Sequence, residues 1–256
     1  MLKGKTALVT GSTSGIGLGI AKALARQGAN IVMNGFGDVA GPRAEIDALG
    51  VKTAYHGADM SKPAEIEEMM KYAAATFGRV DILVNNAGIQ HVANVEDFPA
   101  EKWDAIIAIN LSSAFHTTRL AIPAMKAANW GRIINIASTH GLVASPQKSA
   151  YVASKHGIVG FTKAVALETA TTGVTSNAIC PGWVLTPLVQ KQIDARAERE
   201  GIPIEKAKRD LLAEKEPSLQ FTTPQELGEL AVFFCSEAAN NVRGVAWNMD
   251  GGWAAQ

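Results

Sequence analysis

The sequence has few cysteines, few aromatic residues and no excess charge of either sign. Cys180 and Cys235 are the two cysteines among 256 residues, and 24 lysines and arginines balance 24 aspartates and glutamates. Two cysteines do not make a disulfide framework, and they indicate reduced, buried thiols in a cytoplasmic protein. A neutral chain also lacks the general basic surface that binds nucleic-acid phosphates, so we expect no nucleic-acid partner.

Signals for membranes and metals are also missing. No apolar run is long enough to span a bilayer, and "MLKGKTALVTG" enters a strand with no signal peptide before it. The five histidines are scattered without the paired spacing of a zinc site. We therefore expect neither membrane association nor a bound metal.

What the chain does contain is a regular alternation of short apolar segments and helix-like segments. The strand candidates are "KTALVT", "NIVMNGF", "KTAYHGAD", "VDILVNNAG", "GRIINIAS", "VTSNAICPG" and "GVAWNMDGG". Alternation of this kind predicts parallel βαβ units, and nearly continuous Val, Ile, Leu and Ala predicts strands buried on both faces. The sequence therefore predicts one α/β domain over residues 1–256, a doubly wound parallel sheet with helices on both faces.

One stretch interrupts this alternation. Residues 187–220 are rich in charge and mostly helical in pattern, and they lie between two strands. An insertion near the carboxyl end of a strand is typical of a lid over a substrate site.

The first strand is followed by the glycine-rich stretch "VTGSTSGIG". Gly11, Gly15 and Gly17 allow a sharp turn and a close approach of the backbone to a pyrophosphate, and the helix that begins there offers free N–H groups to the anion. The triplet alone is also typical of a tight turn. Its place between a strand and a helix, at the start of a βαβ series, favours nucleotide binding.

The second strand indicates which nucleotide. An adenosine 2′-phosphate needs a nearby Arg or Lys, yet Gly35 and Phe36 occupy this position and "STS" fills the glycine loop. NAD is therefore favoured over NADP, although the usual acidic ribose ligand is also missing at Gly35 and Asp38 comes slightly later. Asp59 ends the third strand, where it can receive the adenine.

Together with "NNAG" at 85–88, Ser138 and the spacing Tyr151-x-x-x-Lys155, these motifs resemble the short-chain dehydrogenase/reductase family over essentially the whole chain. "PGW" at 181–183 and "DGG" at 250–252 fit the same pattern. The resemblance implies a Rossmann sheet of seven parallel strands, a homotetramer, and cofactor contacts from Gly11, Thr13, Gly15, Ile16, Gly17, Phe36, Asp59, Asn86, Ala87, Gly88, Tyr151, Lys155, Pro181, Gly182, Val184 and Thr186.

The catalytic chemistry follows from the residue types. Tyr151 and Lys155 are at i and i+4, so they share one helix face. The lysine charge and a positive nicotinamide are expected to lower the phenol pKa, so that Tyr151 takes the alcohol proton while hydride leaves the same carbon. Ser138 can hold the substrate oxygen. Asn110 alone could be an exposed or helix-bending residue, but the resemblance gives it a water that relays protons to Lys155.

The substrate is expected just beyond these groups, past the carboxyl ends of the strands. The flanking segments supply Gln90, His140, Lys148 and Trp183, and the predicted lid adds Gln192. Taken singly, a loop lysine is usually solvated, a histidine at a strand end is usually a packing or surface residue, and a glutamine in a charged helix usually has no functional role. Together they favour a small carboxylate held by charge-assisted hydrogen bonds, with Trp183 as an apolar wall.

A narrower resemblance points the same way. "NNAGIQH", "HGLVAS", "KSAYVASKHG", "NAICPGWVLTPLV" and "EKEPSLQF" resemble the bacterial members of the family that oxidise (R)-3-hydroxybutyrate with NAD, in which the four polar residues bind the carboxylate and the tryptophan packs on the methyl end. Arg243 and Trp247 depart from that pattern, which bears on oligomer contacts. The alternatives are a 3-oxoacyl reductase or a polyol dehydrogenase, and a nucleotide-binding regulator without catalysis.

Overall fold

Parallel strands occupy the centre of the molecule. The computed structural model describes residues 1–255, and within them seven strands form one sheet in the order β3-β2-β1-β4-β5-β6-β7. The strands are β1 Thr6–Val9, β2 Asn30–Met33, β3 Thr53–Tyr55, β4 Ile82–Asn85, β5 Gly131–Ile136, β6 Val174–Pro181 and β7 Ala246–Met249. All neighbouring pairs are parallel, which confirms the predicted doubly wound sheet.

Helices cover both faces of this sheet. They are α1 Gly15–Arg26, α2 Ala40–Asp47, α3 Pro63–Phe77, α4 Ala100–Ile107, α5 Ser113–Ala127, α6 Ser149–Glu168, α7 Pro187–Glu200, α8 Ile204–Ala213 and α9 Pro224–Cys235. In β1, Ala7 and Val9 belong to the apolar core under α1 and α9, whereas Leu8 belongs to the core under α3 and α5. Alternate side chains of one strand therefore anchor two helical layers.

The strand order reverses beside β1, and this reversal positions the site. β1 pairs with β2 on one side and with β4 on the other, so the loops that leave β1 and β4 diverge from their neighbours. A crevice at such a reversal, beyond the carboxyl ends of the strands, is where ligands bind in open parallel sheets.

The expectation of strands buried on both faces holds for the centre of the sheet but fails at β7. Every residue of β1, β4, β5 and β6 is buried, whereas Trp247 and Asn248 in β7 are exposed because β7 is an edge strand. The Trp247 ring packs on Phe233 and Phe234 of α9, with centroids 5.6 and 5.8 Å apart.

Arg243 has an intramolecular role. Its guanidinium donates to the carbonyls of Val174 at 2.7 Å, Thr172 at 2.9 Å and Thr169 at 3.4 Å, at the start of β6 and the end of α6. These three contacts account for a residue that departs from the family pattern.

The segment predicted to be helical between β6 and the last strand forms α7 and α8. Val189, Ile193, Ala197 and Ala207 form a small apolar core of their own, and Trp183 packs against it. An ion pair also connects the two helices at their exposed surface, between Arg196 of α7 and Glu214 at the end of α8, at 2.7 Å. The two helices thus rest on a minor core beside the mouth of the crevice, which suits a lid; that role stays a prediction.

Both cysteines are free and buried, as expected from their number. Among residues 1–255, no helix has the length and apolarity needed to cross a bilayer. The same residues contain no group of three or more His, Cys, Asp or Glu side chains arranged to hold a metal ion.

Candidate active site

A cavity of about 840 Å³ lies in the crevice at the carboxyl ends of the strands. Of the residues named from the sequence, it is lined by Gly11, Thr13, Gly15, Ile16, Phe36, Asp59, Asn86, Ala87, Gly88, Gln90, Ser138, His140, Lys148, Tyr151, Lys155, Pro181, Gly182, Trp183, Val184, Thr186 and Gln192. Segments that are far apart in the sequence therefore meet in one pocket. Gly17 and Asn110 lie behind its surface.

The glycine loop has the geometry of an anion cradle. Gly11 and Gly15 have φ values of 63° and 53°, in the left-handed region that favours glycine. Ser14 precedes α1 in an extended conformation, and its side chain makes no capping hydrogen bond within the described residues. Gly15 and Ile16, the first residues of α1, line the cavity, and a helix start without a side-chain cap suits a pyrophosphate.

Gly17 contributes through packing. A Cβ at this position would lie 2.3 Å from the Gly11 carbonyl oxygen and 2.5 Å from Nδ2 of Asn86. Asn86 Nδ2 itself donates to the carbonyls of Thr10 at 2.8 Å and Gly11 at 3.0 Å. The glycine allows α1, the glycine loop and the "NNAG" loop to approach closely.

The end of β2 carries no cation. Phe36 is 68% exposed, and its carbonyl accepts from Thr13 Oγ1 at 2.8 Å. The lysines that line the cavity within residues 1–255 are Lys148, which directly precedes α6, and Lys155, which is within α6. A 2′-phosphate would therefore find no basic side chain of the cavity wall near Phe36.

Asp59 lines the cavity with a carboxylate that is partly engaged. It accepts from the backbone N–H and the hydroxyl of Ser61, at 2.9 and 2.7 Å. These two hydrogen bonds, with the nearby charge of Lys62, hold its pKa below the usual value. An ionised Asp59 remains available as an acceptor for an adenine amine.

Ser138, Tyr151 and Lys155 lie together at the base of the pocket. Lys155 is 4% exposed; its Nζ donates to the Ile136 carbonyl at 2.7 Å and lies 5.5 Å from the centroid of the Tyr151 ring. Burial lowers the Lys155 pKa to about 8. The lysine is therefore held by the strand end beneath the phenol it is expected to assist.

The predicted lowering of the Tyr151 pKa requires the charge of a bound nicotinamide as well as that of Lys155, and it stays a prediction; in the chain alone the shift has the opposite direction. Burial raises the Tyr151 pKa, and the hydrogen bond with Ser138 opposes this rise only in part. Desolvation disfavours the phenolate more than the surroundings stabilise it. A positively charged group bound in the pocket would add to the charge of Lys155 in stabilising the phenolate.

Asn110 is buried in a π-helical turn, Ala108–Ser112, between α4 and α5. Its Oδ1 accepts from the Ile89 N–H at 2.8 Å, and its Nδ2 donates to the Ile89 carbonyl at 2.9 Å and to Ser154 Oγ at 3.3 Å. The side chain fixes the loop after β4 against α6. Its water relay to Lys155 stays a prediction. π turns of this kind occur frequently at functional sites.

His140 is a neutral polar group of the pocket wall. It is 4% exposed, and its Nε2 lies 3.0 Å from Ser145 Oγ. Burial lowers its pKa to about 4, and the nearby charge of Lys148 adds to the shift. The imidazole is therefore uncharged at neutral pH, so the fixed positive charge of this wall belongs to Lys148.

Lys148 is half-buried, and its Nζ lies 5.8 Å from the centroid of the Trp183 ring. Burial lowers its pKa, with a smaller contribution from Lys215. Gln90 and Gln192 also line the cavity, from the loop after β4 and from α7, and both are exposed. The predicted cation, amides and apolar ring thus surround one volume, as a small carboxylate would require.

Trp253 also lines the cavity and was not identified from the sequence. Its ring packs edge-on against His140, with centroids 5.0 Å apart. Asp250 holds the turn that carries it, accepting from Gly252 N at 3.2 Å and Ala254 N at 2.9 Å. The "DGG" motif pointed to this turn, but no spacing placed the following tryptophan in the pocket.

Known proteins resemble this chain over its whole length. Residues 5–197 match the family model described as short chain dehydrogenase. The chain is 75% identical, over the full length of both chains, to a protein of Cupriavidus necator named D-beta-hydroxybutyrate dehydrogenase. It is 56% identical to a protein of the same name from Rhizobium meliloti, covering 98% of this chain and 99% of that one.

A solved structure gives the same result for the fold. A variant of actinorhodin polyketide ketoreductase, crystallised with NADPH, superposes with a TM-score of 0.92 at 34% sequence identity, covering all of both chains. With the family model matched over most of its length and a relative that is 75% identical over the full length, this chain belongs to the short-chain dehydrogenase family.

Proposed function

We propose that this protein catalyses the reversible oxidation of (R)-3-hydroxybutyrate by NAD⁺, giving acetoacetate, NADH and a proton. The observation that carries the proposal is the meeting of Ser138, Tyr151 and Lys155 with a lysine, a neutral histidine and two glutamines in one cavity. The names of the 75% and 56% identical relatives support the same substrate.

The pocket fits a nicotinamide dinucleotide. The glycine loop and the open start of α1 suit the pyrophosphate, Asp59 suits the adenine, and the "NNAG" loop borders the path between them. When bound, the cofactor accepts the hydride. The lack of a basic side chain in the cavity wall near Phe36 supports NAD in preference to NADP; the NADPH of the ketoreductase is a property of that protein.

The residues of the chain handle the proton. The alcohol oxygen binds between the hydroxyls of Ser138 and Tyr151, and Tyr151 takes the alcohol proton as the carbon loses its hydride. The charge of Lys155, held at the Ile136 carbonyl, stabilises the phenolate that accepts this proton. Asn110 keeps the loop after β4 in place and is proposed to order a water leading to Lys155.

The carboxylate is held at the opposite side of the reacting carbon. Lys148 supplies the charge, and His140, Gln90 and Gln192 supply hydrogen-bond donors. Trp183 and Trp253 add apolar walls that favour a short methyl end over a longer acyl chain. A 3-oxoacyl reductase would instead need an open apolar groove, and a polyol dehydrogenase would have no use for a fixed cation.

A spectrophotometric screen tests the proposal. NADH formation is followed with (R)- and (S)-3-hydroxybutyrate, longer 3-hydroxy acids and uncharged secondary alcohols, each with NAD⁺ and NADP⁺. We expect the highest kcat/KM for (R)-3-hydroxybutyrate with NAD⁺. A higher value for an uncharged alcohol would refute the carboxylate site, and equal rates with NADP⁺ would refute the inference from Phe36.

We further propose that the protein is a cytoplasmic homotetramer: the family resemblance supports the tetramer, and the two free cysteines suit a reducing compartment. Light scattering coupled to gel filtration measures the mass of the particle. A mass near four times 27.0 kDa is expected, and a monomeric mass would refute the tetramer.

A further inference from the structure

Glu216 is a buried carboxyl group that the proposed reaction does not use. It follows the end of α8, where the chain leaves the predicted lid, and it is 1% exposed. Its Oε1 accepts a short hydrogen bond from the backbone N–H of Trp183. Glu216 therefore connects the end of the lid to a wall of the pocket.

The same returning segment holds the other side of the Trp183 peptide. Thr222 N donates to the Trp183 carbonyl at 3.0 Å, and Leu185 N donates to the Thr222 carbonyl at 3.1 Å. Both backbone polar groups of Trp183 are thus bound by residues 216–222. The ring of Trp183 lines the cavity, so its position depends on this segment.

Close packing leaves the Glu216 side chain little freedom. A Cβ at Gly182 would lie 3.1 Å from its carboxyl carbon, and a Cβ at Gly251 would lie 3.1 Å from its Oε2. Two glycines, at the ends of β6 and β7, therefore leave the space that the carboxyl occupies. Oε2 is buried and has no hydrogen-bond partner among the described residues.

We propose that Glu216 is a positioning residue that fixes Trp183 in the substrate pocket, so that the segment leaving the lid determines where this wall stands. The role of the wall rests on the proposed function; the fixing of the Trp183 backbone does not.

The charge state of Glu216 agrees with this role. Burial raises its pKa to about 7, the Trp183 N–H opposes the rise, and the carboxylate of Asp250 at the end of β7 adds to it. A glutamine would keep the acceptor for Trp183 without the acid, whereas a methionine of similar shape would remove the acceptor.

Three variants separate positioning from general stability. Glu216→Met removes the acceptor while filling the space, Glu216→Gln keeps it, and Glu68→Ala, which removes an exposed carboxylate of α3 away from the lid and the pocket, is the control. Steady-state kinetics give kcat and both KM values, and hydrogen exchange measured by mass spectrometry follows peptides that contain the Trp183 amide.

We expect Glu216→Met to raise the KM for (R)-3-hydroxybutyrate tenfold or more, with the KM for NAD⁺ changed less than threefold, and to speed exchange at Trp183 at least tenfold. Glu216→Gln and Glu68→Ala should match the wild type within threefold. Glu216→Asp, which keeps the acid but shortens its reach, should behave like Glu216→Met and replaces it if that variant does not fold.

Unchanged exchange at Trp183 in Glu216→Met or Glu216→Asp would overturn the proposal, as would a loss in Glu216→Gln as large as in Glu216→Met. Failure of the proposed function is a separate result: the wild type would not oxidise 3-hydroxybutyrate, while the exchange comparison would still decide the role of Glu216.

Discussion

Burial sets the charge of several single residues in the pocket. His140 is neutral because its pKa falls to about 4, and the pKa of Lys155 falls to about 8. The same desolvation raises the pKa of Tyr151. At neutral pH the chain by itself therefore keeps Lys155 mostly protonated and Tyr151 as the neutral phenol, and a cationic ligand in the pocket favours the phenolate.

Tyr151→Phe tests the acid/base role. The variant lacks the only atom of Tyr151 that can take the alcohol proton, so kcat should fall by about 10²- to 10⁴-fold. Fluorescence titration should show NADH affinity within a few-fold of wild type. Tyr72→Phe, an exposed tyrosine of α3, is the control and should remain fully active. Substantial turnover in Tyr151→Phe would refute the assignment.

Lys148→Ala tests the carboxylate site. Removing the cationic partner of a desolvated anion should lower kcat/KM for 3-hydroxybutyrate by about 30- to 1000-fold, roughly 2–4 kcal/mol. Residual activity toward an uncharged secondary alcohol should change far less. Lys163→Ala, on the exposed side of α6, is the control. An unchanged kcat/KM in Lys148→Ala would mean that the carboxylate binds elsewhere or does not matter.

At the scale of helices and strands, the site depends on how closely elements approach. The glycine loop, the "NNAG" loop and α1 meet at Gly17, where an added Cβ would contact backbone and Asn86. The π turn at Asn110 similarly lets a buried amide reach the loop after β4. In both places the local backbone conformation allows separate elements to come into contact.

Gly17→Ala should displace the start of α1 from the glycine loop. We expect the KM for NAD⁺ to rise tenfold or more and stability to fall by about 1–3 kcal/mol, because overpacking forces a backbone shift. Gly160→Ala is the matched control: this glycine is in α6 with nothing within 4 Å of an added Cβ. It should gain about 0.5–1 kcal/mol with unchanged kinetics. Thermal unfolding and steady-state kinetics measure the two effects. Equal stability and equal KM for NAD⁺ in the two variants would contradict the packing role.

At the scale of the whole molecule, Glu216 links stability to pH. Its pKa is about 7 in the folded protein against an ordinary value of 4.5, so the folded state binds more protons between these pH values. Stability therefore falls as pH rises through this window and is constant with respect to this group above about 7.

Glu216→Gln should remove this pH dependence. The free energy of unfolding of the variant relative to wild type should be greater at pH 8 than at pH 5, by on the order of 2–3 kcal/mol. Denaturant unfolding at the two pH values measures it, and subtraction of the wild type cancels the titration of other groups. An equal difference at pH 5 and pH 8 would show that Glu216 titrates normally.

The amino-acid sequence by itself determined the architecture and most of the chemistry. Alternating apolar segments and helices predicted the parallel sheet, because burial on both faces leaves a pattern of residue types that is visible without coordinates. Glycine, hydroxyl and amine spacings predicted the nucleotide loop and the roles of Ser138, Tyr151 and Lys155 for a similar reason: each of these groups lies within one or two neighbouring elements.

Only the tertiary structure decided which distant groups meet and in what charge state. Four features join segments that have no fixed spacing between them. They are the ring contact of Trp253 with His140, the close packing at Gly17, the hydrogen bond from Arg243 to the Val174 carbonyl, and the hydrogen bond from the Trp183 N–H to Glu216. The raised pKa of Tyr151 likewise depends on how much water the folded chain excludes. Burial and long-range contact are properties of the packed molecule, and no local pattern encodes them.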